Sequence, residues 1–240
     1  MVAIAFGTGA YRRRAGRFPP FRLVNMFAEQ TPANASGPVA LLSRPSLTVH
    51  SNVGDGPIRG VFSQSGTFDG DVLCVSGGQL YRDSTSLGDI LGSDVVSFAT
   101  SGTEVLIATG SALYRTDGVS VSAVAFPDSA AVLAVAFIAG YFVAVRKDTQ
   151  KFYWSAVLDG SSWDGLDFAS AESSPDNLLD AWVVGDELWL LGANSTEVWV
   201  PSGDQDAPFI RVEGRLYDKG IRGSRIAANV DNTLFWTGND

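Results

Sequence analysis

A strand–turn–strand unit recurs along this chain, and a repeat of that kind limits the possible folds more than composition does. It reads DVLCVSGGQLYR at 71–82 and TEVLIATGSALYR at 103–115, with looser copies GYFVAVRKDTQKFYWSA at 140–156 and DELWLLGANSTEVWV at 186–200. A further copy opens with NTLFWTGND at 232–240. In each, an apolar strand meets a turn of Gly, Asn, Asp or Thr, and an aromatic-bearing strand follows. With Tyr81, Tyr114, Tyr153 and Trp199 as markers, the steps are 33, 39 and 46 residues, the size of a propeller blade. These hairpins are expected to be the inner strands of blades, with their aromatics buried against the next blade. Segments such as VVSFATSG (95–102) and LLDAWVVG (178–185) supply the strand entering the following blade. The fold class predicted is all-β: a β-propeller of four blades plus the start of a fifth over residues 51–240, behind a basic extended N-terminal arm and entry segment over residues 1–50. An unclosed propeller exposes a strand edge and apolar faces, so the chain reads as the first part of a longer protein, or as one covered by another chain.

Composition agrees where it bears on this. The 26 glycines and 45% hydrophobic residues suit short strands and tight turns around a sizeable core. The single cysteine, Cys74, and the lack of a signal-peptide pattern point to a chain made and kept in a reducing cytoplasm. The longest apolar run, AAVLAVAFIAGYFVAV at 130–145, falls short of the ~20 residues of a membrane helix. It reads as two buried strands around a turn at Ala139–Gly140, with no membrane span.

Charge is divided unevenly. Residues 1–50 carry six arginines and one acid, Glu29, for +5; residues 51–240 carry eleven basic and twenty-five acidic residues, for −14, which together give the net −9. Arg12, Arg13, Arg14 and Arg17 are concentrated in YRRRAGRFPPFRLVNMF (11–27). Such a segment can neutralise DNA phosphates without sequence preference, bind carboxylates of a protein partner, or stay solvated. The acidity of the remaining chain favours the partner-contact reading for these four arginines.

Chemistry finds little support. His50 is the one histidine and Cys74 sits in an apolar strand, so neither a histidine-based triad nor a histidine-rich zinc site is available. Two carboxylates alone can serve a glycosidase, and Glu172, Asp204 and Asp206, with Asp164 and Asp167, are the candidates. Each stands among Gly, Ser and Pro, where Asp commonly caps turns. DGSSW (159–163) is one residue short of an aspartate-box turn, which is itself a folding motif, and the WD dipeptide at 163–164 does not recur. The expectation is no catalytic residue, no metal and no cofactor. The alternative is a carbohydrate-active β-propeller enzyme, such as a polysaccharide depolymerase, using two of Glu172, Asp204 and Asp206.

PFRLVNMFAE near the start, the repeated blade core, and FYWSAVLDGSSWDGLDFASAESSPDNLLDAWVVGDELWLLGANSTEVWV at 152–200 together resemble the packaged-DNA stabilization proteins of short-tailed bacteriophages, also called tail hub or nozzle proteins. The likeness covers most of residues 21–222. It is most specific at Val24-Asn25-Met26, Ala171-Glu172-Ser173, Pro175-Asp176, Thr196-Glu197-Val198-Trp199 and Lys219-Gly220-Ile221. The resemblance implies a virion protein of the tail that forms a homo-oligomeric ring, expected as a hexamer, below the portal. It also implies contact with the head-tail adaptor, retention of passing phage DNA without sequence specificity, and docking of the tail needle and of fibres or spikes. Members of that family are longer, which implies later blades that this chain lacks. By the same resemblance, Trp154, Trp163 and Phe168 anchor a loop between blades, Ser170 to Asp176 form the turn into the next blade, and Glu172 is that loop's hydrogen-bond acceptor.

Overall fold

The protein is described by a computed structural model, covering residues 24–31 and 39–238. Its contacts divide into two compact units, Met1–His50 and Ser51–Asp240. In the first unit, β1 (Met26–Gln30) pairs antiparallel with β2 (Val39–Ser43), Phe27 opposite Leu42 and Ala28 opposite Leu41. The expected arm therefore contains a hairpin. Its signal was two short apolar runs flanking a stretch rich in Pro, Gly, Asn and Ser, overshadowed by the arginines. Arg44 belongs to this hairpin, its Nε donating to Asn25 Oδ1 at 3.0 Å.

The second unit is built from consecutive antiparallel sheets. The first holds β3 (Ile58–Phe62), β4 (Leu73–Ser76), β5 (Gln79–Arg82) and β6 (Thr85–Asp89), and the second β7 (Ser97–Thr100), β8 (Val105–Ala108), β9 (Leu113–Thr116) and β10 (Val121–Ala123). The third holds β11 (Val132–Ile138), β12 (Tyr141–Arg146), β13 (Lys151–Ala156) and β14 (Asp159–Ser170). The fourth holds β15 (Leu178–Val184), β16 (Glu187–Gly192), β17 (Thr196–Pro201) and β18 (Phe209–Tyr217). A fifth begins with β19 (Ala227–Val230) and β20 (Thr233–Trp236). The fold is a β-propeller, with four complete blades and two strands of a fifth among the described residues.

Local sequence explains the strands. The apolar run at 130–145 breaks at Ala139 and Gly140, whose φ angles of 52° and 87° give the doubly left-handed turn that matches strand twist in a two-residue hairpin. Side chains alternate across each strand. On β13, Phe152 and Trp154 enter the core shared with the fourth sheet, whereas Tyr153 between them enters the core shared with the second. Each junction thereby gains a continuous apolar layer, and burying one Leu or Phe side chain contributes about 1.5–3 kcal/mol.

The marker aromatics all lie on third strands. Tyr81 faces Cys74, Tyr114 faces Ile107 and Tyr153 faces Ala144, which are matching positions of the repeat. Trp199 faces Leu188, two residues further along the same face, and Glu197 holds the matching position opposite Leu190. Two expectations are corrected. Tyr114 packs on the first blade and Tyr153 on the second, so the aromatics bury against the preceding blade, because the residue after the apolar one points backwards. The repeat hairpins are the middle strands of their sheets, and the entering strands β7, β11 and β15 pack against one another.

Candidate functional site

Buried charged residues stand at every junction between blades. Between the first and second, Arg59 is 5% exposed and donates to four backbone carbonyls, among them Asp94 at 2.8 Å and Gly77 at 3.0 Å. Burial lowers its pKa, and Asp94 works in the opposite direction. Between the second and third, Glu104 accepts from Arg115 Nε on one oxygen and from the Gly160 N–H, at 2.7 Å, on the other. A Cβ at Gly160 would come within 2.9 Å of Leu106, so glycine lets the third blade's hairpin approach this closely.

Between the third and fourth blades, Glu197 accepts from the Ser173 N–H at 2.8 Å and from the Trp199 indole at 3.0 Å. Asp176 accepts from the Asn194 and Ser195 N–H groups and from the Ser195 hydroxyl. Between the fourth and fifth, Asp180 is fully buried and pairs with the Arg225 guanidinium, which lies 5.2 Å over the Trp182 ring. Burial pushes Arg225 down to about 10, and the Asp180 carboxylate beside it favours the charged form. Trp182 Nε1 and Arg225 Nε are buried donors without an acceptor.

The entering strands surround a cavity of about 560 Å³, walled by Phe62, Phe98, Phe137 and Trp182 among others, with Arg225 at its edge. Its lining side chains are mostly apolar although its wall surface is about as polar as apolar, and its arginine is already paired with Asp180. Such a surface presents no row of free cations for a phosphate backbone.

The residues singled out from sequence fall as follows. Arg12, Arg13, Arg14 and Arg17 lie outside the described residues. His50 is exposed at the division between the units. Cys74 is buried in β4, and burial raises its thiol pKa. Asp164 accepts the Leu166 N–H at 2.9 Å, Asp204 accepts the Asp206 N–H at 2.9 Å, and Asp159 accepts both the N–H and the hydroxyl of Ser161. These are turn caps, as their Gly- and Ser-rich settings imply. Asp167 is shifted upward by burial, then by Asp164 and Asp206. A cavity of about 480 Å³ beside Glu172 is lined also by Gln150, Lys151 and Asn177, and neither Asp204 nor Asp206 borders it. Among the described residues, no group of three or more His, Cys, Asp or Glu is placed to hold a metal ion, and no helix is long and apolar enough to cross a membrane.

Two loop assignments need correction. Glu172 is exposed, and the carboxylates that accept hydrogen bonds at residues 171–177 are Glu197 and Asp176 instead. Trp163 and Phe168 lie in β14 and pack on the side of the second blade, while Trp154 packs toward the fourth, so strand alternation separates them. Arg59, Glu104, Asp180 and, as an acceptor, Glu197 are buried charged positions that the repeat pattern does not mark. A signal existed, since each is a charged residue next to or within an apolar strand run, where burial needs a partner.

The family described as bacteriophage P22 Gp10, beta-propeller, matches residues 2–240. No curated protein sequence matches. Among solved structures, YCF48 bound to D1 peptide is similar at 15% identity and a TM-score of 0.53, over 83% of this chain and 65% of that one. YCF48 from Cyanidioschyzon merolae is similar at 11% identity and 0.52, over 83% and 70%. The computationally designed Ika8 protein is similar at 11% and 0.50, over 88% and 64%. These likenesses bear on the fold alone, and this chain spans 55%, 65% and 64% of the first three structures it matches.

Proposed function

Since this chain belongs to the phage-stabilisation family typified by the P22 Gp10 β-propeller, we propose that it is a subunit of a tail hub or nozzle ring that closes the phage head after packaging and retains the DNA. Family membership makes it a phage structural protein of the virion. The finer reading is a homo-oligomeric ring, a hexamer, assembled in the host cytoplasm and placed in the tail. There it meets the head-tail adaptor above and offers a docking surface to the needle and to fibres or spikes below. DNA passes it without sequence-specific contact, and the protein has no enzymatic role.

The observation that carries this reading is the family match over residues 2–240. Two features support it. Of the candidate carboxylates, Asp164 and Asp204 are occupied as turn caps. The basic first fifty residues and the acidic remainder are suited to contacts between copies, with the segment 1–50 as assembly arm and residues 51–240 as propeller body. Electron cryo-microscopy of whole particles tests it: a ring of this chain below the portal is expected, and its absence from the collar around the DNA overturns the reading.

A further inference from the structure

In an antiparallel four-stranded sheet, the turns joining strands one to two and three to four share one end, and the two-to-three turns share the other with the connectors. The two ends of this propeller differ in charge. At the first end stand Asp83 and Asp117 in three-to-four turns of the first two blades, and Asp204 and Asp206 in that of the fourth. The third blade adds a bulge in β14. Tyr153 faces Phe168 but Ser155 faces Trp163, so surplus residues of β14, Asp164 and Asp167 among them, are pushed out of the ladder. Asp167 responds to both Asp164 and Asp206, which brings the edges of the third and fourth blades into one electrostatic neighbourhood.

None of these six carboxylates forms an ion pair among the described residues, and the turns of this end contain no Lys or Arg. Nearby arginines are already engaged, Arg82 by Asp71, Arg115 by Glu104 and Arg215 by Glu187, while the exposed Arg211 donates to the Ser173 hydroxyl. The opposite end mixes signs, with Lys147, Lys219 and Arg222 among its acids. Turn chemistry accounts for Asx residues at several of these positions, as where Asp117 accepts the Val119 and Ser120 N–H groups at 2.9 Å. It does not account for the charge, because Asn caps such turns as well.

We propose that this acidic end is the docking face for the segment Arg12–Arg17 of a second copy of the chain, an assignment that rests on the ring reading above. Charge complementarity selects the occupant: four arginines in six residues, within a region of net +5, meet unpaired carboxylates to which guanidinium binds in bidentate geometry. Arg17 precedes Val24 by seven residues, a reach of up to about 25 Å. The contact is one of many exposed pairs, so it is sensitive to salt.

The test is sedimentation of the full chain and two charge-reversed variants, with circular dichroism as the check that each folds. One carries Arg12→Glu, Arg13→Glu, Arg14→Glu and Arg17→Glu; the other carries Asp164→Lys, Asp167→Lys, Asp204→Lys and Asp206→Lys. Wild type should self-associate, and association should weaken by about tenfold or more as ionic strength rises from about 0.01 to 0.15 M. Each variant alone should lose association, and an equimolar mixture should recover it, since an acidic arm then meets a basic face. The four Asp→Asn changes preserve the turn bonds and should also weaken association, which separates charge from folding. A wild type that does not associate, an arm variant that associates normally, a mixture that stays apart, or Asn variants that associate as wild type overturns the assignment. So does capture of the arm by duplex DNA in preference to the acidic face. If these fail while particle images still show the ring, the arm-to-face contact falls and the ring reading stands.

Discussion

The second and fourth blade junctions both bury a carboxylate, but they treat the cation differently. Glu104 is buried while its partner Arg115 keeps 35% of its side chain exposed, and the second carboxylate oxygen is taken by the Gly160 backbone. Asp180 is completely buried, and most of Arg225 is buried with it, leaving the Nε of that guanidinium and the Trp182 indole without acceptors. Where the cation sits therefore decides what the carboxylate contributes. A half-exposed arginine that loses its partner can turn to water, whereas a buried one has no such outlet.

Asp180→Ala should have the largest effect. It leaves the Arg225 guanidinium uncompensated and removes the acceptor for the Arg225 N–H at 2.8 Å, and breaking a buried pair from one side costs about 3–5 kcal/mol. Urea unfolding measures it. A loss below about 1 kcal/mol would remove the distinction between the junctions. Glu104→Ala should cost less, about 1–3 kcal/mol, because the damage is one orphaned N–H at Gly160 and a guanidinium free to solvate. Should Glu104→Ala cost more than Asp180→Ala in the same measurement, cation burial is not the deciding variable.

Part of this was legible in the sequence and part was not. The period of Tyr81, Tyr114 and Tyr153 follows from local strand and turn chemistry, and those three occupy matching register positions. Trp199 looked equivalent because an aromatic near the end of a hairpin is all a pattern search sees. The register places Glu197 there, and only the approach of Ser173 from the preceding blade explains a carboxylate at that point. The latches were harder to read for the same reason. Glu104 and Gly160 are 56 residues apart and Arg225 and Asp180 are 45 apart, and strand patterning within one hairpin carries no information about what the next blade brings. The hairpin of β1 and β2 was hidden differently, its apolar residues standing in a segment whose arginines suggested an unpaired arm.

A double change sharpens the comparison with a smaller expected effect. Asp180→Asn with Arg225→Met removes both charges while leaving an oxygen for the Arg225 N–H, now carried by Met. Replacing a whole buried pair by neutral groups of similar volume is often close to neutral, so the double variant should lie within about 1 kcal/mol of wild type, well above Asp180→Ala. The coupling between the two sites, obtained from the single and double variants, should then exceed the value of the Glu104–Arg115 pair measured the same way. Equal couplings would mean that burial of the cation does not set the strength of the pair.

Carboxylates that keep contact with solvent set the lower reference, and pH reads them. Asp117 is held below the usual carboxylate range by the N–H groups of Ser120 and Val119, and Asp159 by the hydroxyl and N–H of Ser161. A carboxyl whose folded pKa is depressed stabilises the fold fully above its unfolded pKa of about 3.9, and that stabilisation is lost as pH falls through the folded value. Asp167 has the opposite sign: its folded pKa is raised by burial, Asp164 and Asp206, so it disfavours the fold at neutral pH, and the penalty is relieved as pH falls through that raised value. Thermal unfolding should therefore show an acid limb that begins below about pH 4 and is shallower in Asp117→Asn, which keeps the cap geometry and removes the titration. Asp167→Asn should raise the midpoint at neutral pH and leave the acid limb unchanged. Both shifts should be smaller than any change at Glu104 or Asp180, because solvent reaches the exposed Asp117 and the half-buried Asp167 and screens their charge. An acid limb unaltered by Asp117→Asn would assign acid unfolding to other carboxylates.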